Sequence, residues 1–135
     1  MTALVVLIAA RDEEDHIAET VSRLRETLGD VTIVVADDGS RDATSERAEA
    51  AGATVVRLAR RGKGQALTLA ERQSPAGPLL LCDADLRGDL APLTRSGADV
   101  TIATFTRRSG SGLGLAKRIA RRLIRLRSGF EPVEP

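Results

Sequence analysis

Four times between Ala3 and Asp85 a short apolar, strand-type run gives way to a polar stretch with helical spacing. The runs are Ala3–Ala10 (ALVVLIAA), Val31–Ala36 (VTIVVA), Ala53–Leu58 (ATVVRL) and the segment opening Leu79-Leu80-Leu81-Cys82. Apolar runs without polar alternation are what strands covered on both faces require. Between the first two, Ile17, Val21, Leu24 and Leu28 recur at helical spacing, and Gly29 follows as a stop. Strand and helix in alternation predict a parallel sheet with right-handed crossovers, an α/β fold. In such a sheet every strand delivers its following loop to one edge, the edge where open α/β sheets bind ligands.

The punctuation sets the expected boundaries. Arg11-Asp12-Glu13-Glu14-Asp15 opens the first helix, its acidic residues facing the positive end of the helix dipole. Gly39 makes a tight turn after the second strand, and Ser40 or Asp42 caps a helix running to about Ala51. Arg60-Arg61-Gly62-Lys63-Gly64-Gln65 is a basic, glycine-rich loop ahead of a helix from Ala66 to about Arg72, and Ser74–Pro78 is a turn. Asp99–Thr106 (DVTIATFT) alternates like a fifth strand, 107–114 reads as a loose glycine-rich loop, and Leu115, Ile119, Leu123 and Leu126 stripe a basic helix over 115–127.

The loops at the common edge carry the chemistry. Asp83 and Asp85 stand one residue apart at the end of an apolar run, and on an extended backbone they point to the same side. Two such carboxylates repel each other unless a cation or a set of donors sits near them. Oxygen-only ligands suit Mg2+ or Mn2+ carrying phosphate oxygens. Three loops are acidic (Arg11–Glu14, Asp37–Ser40, Asp83–Asp85) and one is basic with glycines, the mix that a metal-bound pyrophosphate needs.

Composition removes several classes of function. With 135 residues, 42% hydrophobic and a net charge of +1, the chain fits one domain and not a general nucleic-acid binder. Phe105 and Phe130 are the only aromatics, too few for base-stacking platforms. Cys82 is the only cysteine, which points to a reducing compartment and hence the cytoplasm. Met1–Ala10 lacks a positive leader region and reads as a first strand, and no apolar run approaches the roughly 20 residues that span a bilayer.

Taken in order, Ala9-Ala10-Arg11-Asp12-Glu13-Glu14, Asp37-Asp38-Gly39-Ser40-Arg41-Asp42-Ala43-Thr44, Gly62-Lys63-Gly64 and Asp83-Ala84-Asp85 resemble the successive signatures of family 2 glycosyltransferases. The closest flavour is the bacterial group of glucosyl-phosphoglycerate and polyprenyl-phosphate sugar transferases. The resemblance implies a Rossmann-like GT-A three-layer sandwich with a mostly parallel central sheet. The nucleotide-sugar-binding core would occupy 1–106, and 107–135 would hold the loop, basic helix and tail.

The resemblance also implies roles. Ala9, Arg11 and Glu13 line the nucleotide base and ribose. Asp38 contacts the base with Asp37 in support, and Lys63 approaches the phosphates. Asp83 reaches the ribose or sugar, and Asp85 binds the Mn2+ or Mg2+ that bridges the diphosphate. The reaction implied is transfer of a sugar from a UDP-sugar-like donor with inversion, the metal stabilising the leaving group. Asp12 stands where the family usually has Asn, and Arg11 where an aromatic or Leu is common. Family members normally continue into an acceptor-binding half with a carboxylate general base. Nothing in 99–135 matches that base, so the chain resembles a donor-binding half and its catalytic residues stay unassigned.

Plainer readings stand beside these. Asp37 and Asp38 suit helix capping, Lys63 a solvated loop, Glu13 and Glu14 the helix dipole, His16 an exposed helix position and Cys82 a small core residue. The basic helix has a wet face by default. Against an anionic membrane at the inner face of the cell it would suit a lipid-phosphate acceptor, the alternative being phosphoglycerate. An open sheet edge would invite self-association. The competing functions are a non-catalytic receiver-like signalling domain, which needs an acidic residue where Arg57-Leu58 stands, and a nucleotidyltransferase, which needs glycines in the loop after the first strand. A dinucleotide oxidoreductase fails on that same loop, and a phosphate-loop NTPase fails because Gly62-Lys63-Gly64 is not followed by the required hydroxyl pattern.

Overall fold

The computed structural model describes residues 3–88. Four strands, β1 (Val5–Ala10), β2 (Thr32–Asp37), β3 (Thr54–Arg57) and β4 (Leu79–Asp83), alternate with three helices, α1 (Ile17–Leu28), α2 (Thr44–Ala50) and α3 (Lys63–Gln73). All strand pairs are parallel and the order is β3-β2-β1-β4. The expected α/β fold with a parallel sheet is therefore observed. A receiver-type sheet runs 2-1-3-4-5, so the observed order rules that alternative out.

Alternation along each strand divides the core between two faces. Val6, Ile8, Ile33, Val35 and Cys82 pack with Ile17, Val21 and Leu24 of α1 and Ala48 of α2. Val5, Leu7, Val34, Ala36 and Val56 pack with Ala66 and Ala70 of α3. Two steps in one direction put α1 and α2 on one face. The return from β3 across to β4 puts α3 on the other, because right-handed crossovers allow no other placement. The order thus reverses between β1 and β4, the position where doubly wound sheets open a crevice.

Several boundaries differ from expectation, each for a tertiary reason. The first helix begins at Ile17 and leaves Arg11–His16 as a loop, so Glu13 and Glu14 are not first-turn residues; Glu19 is. Asp12 takes a positive φ of 52°, which breaks any helix there, and the amides of Asp12, Glu13 and Glu14 are claimed by side chains of the loop after β2. Helix α3 starts at Lys63, three residues before Ala66, because Gly62 at φ 96° makes the break and its carbonyl accepts the Ala66 amide. Strand β4 is not covered on both faces. Leu79 and Leu81 are 42% and 60% exposed, because α3 lies over β1 and β2 and stops short of them. The expected fifth strand over 99–106, the basic helix over 115–127 and the boundary at 106 all lie outside the described residues. Among the described residues no helix is long and apolar enough to cross a membrane.

Candidate functional site

The carboxyl ends of the strands place Ala10, Asp37, Arg57 and Asp83 along one edge. The loop after β1 and the loop after β2 are stitched together. The Asp12 amide donates to Ser40 Oγ at 3.0 Å, and the Arg41 amide donates to Asp12 Oδ1 at 2.8 Å. The Glu13 amide donates to Thr44 Oγ1 at 2.8 Å, the Glu14 amide to Asp42 Oδ2 at 3.2 Å, and the Ala43 amide returns a bond to Glu14 Oε2 at 3.2 Å. Asp42 also accepts from the hydroxyl and amide of Thr44, but the N-cap of α2 is Ala43, which makes no side-chain cap bond, so Asp42 braces the first turn from one residue before the cap. Partial burial alone would raise its pKa. The bonds from the Thr44 hydroxyl and the Glu14 and Thr44 amides outweigh that and hold it below the ordinary value.

Asp37 and Asp38 are both buried, at 5% and 6% exposure, and neither is a solvated cap. Asp37 accepts from the Ser40 amide at 2.8 Å and from the Ser45 hydroxyl. Asp38 accepts from the Arg61 amide at 2.6 Å and from the Gly62 amide at 2.9 Å. Gly39 has φ 76°, and a Cβ there would stand 3.1 Å from the Arg60 nitrogen. The turn after β2 is thus pressed against the basic loop before α3.

At the β1/β4 reversal the Lys63 ammonium pairs with the Asp83 carboxylate, and Ala9 lies beside Asp83 in register. Both partners of that ion pair are more than half exposed. Strand β4 ends at Asp83, and the Leu86 amide closes a turn onto the Asp83 carbonyl at 3.3 Å. Asp85 is therefore carried by a turn, and the same-side argument for an extended Asp83-Ala84-Asp85 does not apply. Ala84 is buried, and its carbonyl accepts from Thr20 Oγ1 at 2.6 Å, which ties the turn to α1. Asp85 is exposed, as is Arg11, whose Nε lies 3.8 Å from Asp12 Oδ2. Glu13 Oε2 lies 3.2 Å from His16 Nδ1.

The structure thus joins Ala9, Lys63 and Asp83 directly, and joins Asp38 to them through the loop before Lys63. Arg11 instead pairs with Asp12 and Glu13 with His16, and neither is joined to Lys63 or Asp83 among the described residues. An open recess of about 200 Å³ lies on the β2–β3 side, lined by Asp37, Gly39, Ser40, Asp42, Arg57 and Leu58 among others, and it includes neither Lys63, Asp83 nor Asp85. Among the described residues no three metal-ligating side chains converge. Asp83 and Asp85 nonetheless suit a hard divalent cation, which takes one or two carboxylates and completes its shell with water and substrate oxygens. Sequence reasoning missed Thr20, Ser40 and Ser45 as braces. Thr20 was detectable as a polar residue within the apolar stripe of α1.

The family model described as "Glycosyl transferase family 2" matches residues 5–130. The chain belongs to glycosyl transferase family 2. Among relatives of this family, glycosyltransferase AglJ of Haloferax volcanii is 38% identical over 84 residues, covering 62% of this chain and 27% of the relative. A mycobacterial protein of solved structure superposes with a TM-score of 0.69 at 29% identity, over 92% of this chain and 46% of its own. Glucosyl-3-phosphoglycerate synthase of Mycobacterium tuberculosis, solved with Mn2+, UDP-glucose and phosphoglyceric acid, gives a TM-score of 0.52 at 30% identity, over 61% of this chain and 33% of the enzyme. The chain spans less than half the length of each of these family 2 relatives.

Proposed function

We propose that this chain is the nucleotide-sugar-binding part of a family 2 glycosyltransferase that passes a sugar from a UDP-sugar to its acceptor with inversion. The observation that carries the reading is the Lys63–Asp83 pair at the β1/β4 reversal, with the basic loop held against the turn after β2. An exposed ion pair of this kind is worth only about 0–1 kcal/mol. Lys63 can therefore exchange Asp83 for a phosphate oxygen at little cost, which releases Asp83 toward a ribose or sugar hydroxyl. Asp85 beside it would hold Mn2+ or Mg2+ with the diphosphate. When bound, the cation supplies Lewis-acid stabilisation of the leaving nucleoside diphosphate.

Ala9, Arg11 and Glu13 line the base and ribose in this reading, with the turn of Asp37 and Asp38 beside them. The core extends over 1–106. The acceptor is phosphoglycerate or a lipid phosphate, and in the second case the basic segment 115–127 meets the inner face of the membrane from the cytoplasm. The solved complexes of the mycobacterial synthase with Mn2+ and UDP-glucose support this choice of donor and metal. Among the described residues β4 is an edge strand, and that edge is the place for self-association.

The test is thermal stabilisation by nucleoside diphosphates with and without Mn2+, since a ligand that binds only the folded chain raises its melting temperature. UDP with Mn2+ should stabilise, and Asp85→Ala should abolish the metal-dependent part without lowering the melting temperature of the unliganded protein. If no nucleotide shifts the melting temperature under either condition, the reading is wrong.

A further inference from the structure

The turn that carries Asp85 is fastened to α1 at two points. Thr20 is buried on the core face of α1, beside Ile17, Val21 and Leu24. A helical threonine can spend its hydroxyl on a carbonyl one turn back in its own helix. Thr20 Oγ1 donates instead to the Ala84 carbonyl, at 2.6 Å and 64 residues away along the chain. Three residues further along α1, and so on a neighbouring part of its surface, Arg23 donates to the Gly88 carbonyl at 3.3 Å. Between these anchors Leu86 packs against the core cluster that holds Ile17, Val21 and Leu24, and its amide closes on the Asp83 carbonyl. The Ala84 carbonyl and the Asp85 amide belong to one planar peptide unit. Holding that carbonyl sets the plane from which the Asp85 side chain departs, although Asp85 itself is exposed.

Resting on the nucleotide-sugar reading above, in which Asp85 holds the cation, we infer that Thr20 is a positioning residue for that metal, with Arg23 as the outer anchor of the same turn. Thr20 touches neither the cation nor the nucleotide. Its hydroxyl fixes the Ala84–Asp85 peptide against α1, so the Asp85 carboxylate meets the cation already oriented. An outer partner that orients a metal ligand changes metal affinity by roughly 10–100-fold when it is removed. Positioning and general packing predict different losses. Looser packing around α1 weakens the nucleotide with and without metal alike. A released turn weakens only the binding that depends on Asp85.

The experiment titrates UDP into the full chain with and without Mn2+, and Mn2+ into the chain already saturated with UDP. It compares the unaltered protein with Thr20→Val, Thr20→Ser and Arg23→Met. Thr20→Val keeps the shape and removes the hydroxyl, so Mn2+ affinity should fall about tenfold or more. UDP affinity without Mn2+ should change less than about twofold in that variant, because Asp85 takes no part in it. Thr20→Ser keeps the donor and should restore most of the Mn2+ affinity. Unchanged Mn2+ affinity in folded Thr20→Val, equal losses in Thr20→Val and Thr20→Ser, or equal losses with and without Mn2+ overturn the inference. Should Thr20→Val fail to fold, Arg23→Met decides, since its bond lies at the surface. A loss confined to Mn2+-dependent binding supports the anchored turn, and no loss refutes it. If the unaltered chain binds UDP no better with Mn2+ than without, the metal reading fails and the inference falls with it. Mn2+-dependent binding that Thr20→Val leaves intact sinks the inference alone.

Discussion

Replacing Gly39 by alanine tests the close approach of two backbones at the carboxyl edge. Two costs add. An L-residue held at φ 76° costs about 1–2 kcal/mol. The new Cβ would also stand 3.1 Å from the Arg60 nitrogen and 3.4 Å from the Leu58 oxygen. Both are backbone atoms, so the loop itself must shift, an overpacking penalty of about 1–3 kcal/mol. The sum, about 2–5 kcal/mol, is a large share of the 5–15 kcal/mol typical of a domain's whole stability. Gly62→Ala is the matched control, since it has a comparable backbone strain at φ 96° and nothing within 4 Å. It should cost only the first contribution. Gly39→Asn is the converse, because asparagine tolerates the left-handed region but keeps the Cβ. Urea unfolding at constant slope gives the three differences as midpoint shifts. The expected order of damage is Gly39→Ala, then Gly39→Asn and Gly62→Ala. If Gly39→Ala and Gly62→Ala unfold at the same midpoint, the two loops are not in contact and the link from Asp38 to Lys63 loses its basis.

Leu80 faces the α1 side of the core and Leu81 is 60% exposed, so Leu80→Asp should cost several kcal/mol while Leu81→Asp stays within about 0.5 kcal/mol. Similar melting temperatures for the two would mean that β4 pairs in another register. Burial, with a smaller contribution from the Asp83 charge, pushes the Cys82 thiol up to about 11, so an aromatic disulfide reagent at pH 8 should label the unfolded chain quickly and the folded one slowly. Fast labelling of the native protein would contradict its buried place under α1. Because Asp42 is held below its ordinary pKa of 3.8, its contribution to stability is complete above that value and is lost as the pH falls through the lower folded value. The melting-temperature gap between the unaltered chain and Asp42→Asn should therefore be constant near pH 6 and close only below pH 3.8; a gap that closes near neutral pH refutes the assignment.

Most element types were legible in the sequence because burial leaves a periodic imprint. The stripe Ile17, Val21, Leu24 marked α1, and the runs of β1 and β2 marked strands covered on both faces. Boundaries were less legible where long-range bonds set them. Nothing local to Asp12-Glu13-Glu14 says that Ser40, Thr44 and Asp42 will take their amides and push the helix start to Ile17. The apolar run of β4 looked like a central strand, but exposure depends on how far α3 reaches across the sheet, and its own residues do not encode that.

By itself the sequence determined the alternating α/β topology, the family, and the residue types gathered at the ligand edge. These follow from local periodicity and from strand ends that a parallel sheet must bring together. Which of those side chains meet was decided only by the tertiary structure. Lys63 found Asp83, and Asp38 found the Arg61 and Gly62 amides, at sequence separations of 20, 23 and 24. Hydrogen bonds at that separation depend on strand order and loop curvature, which no window along the chain contains.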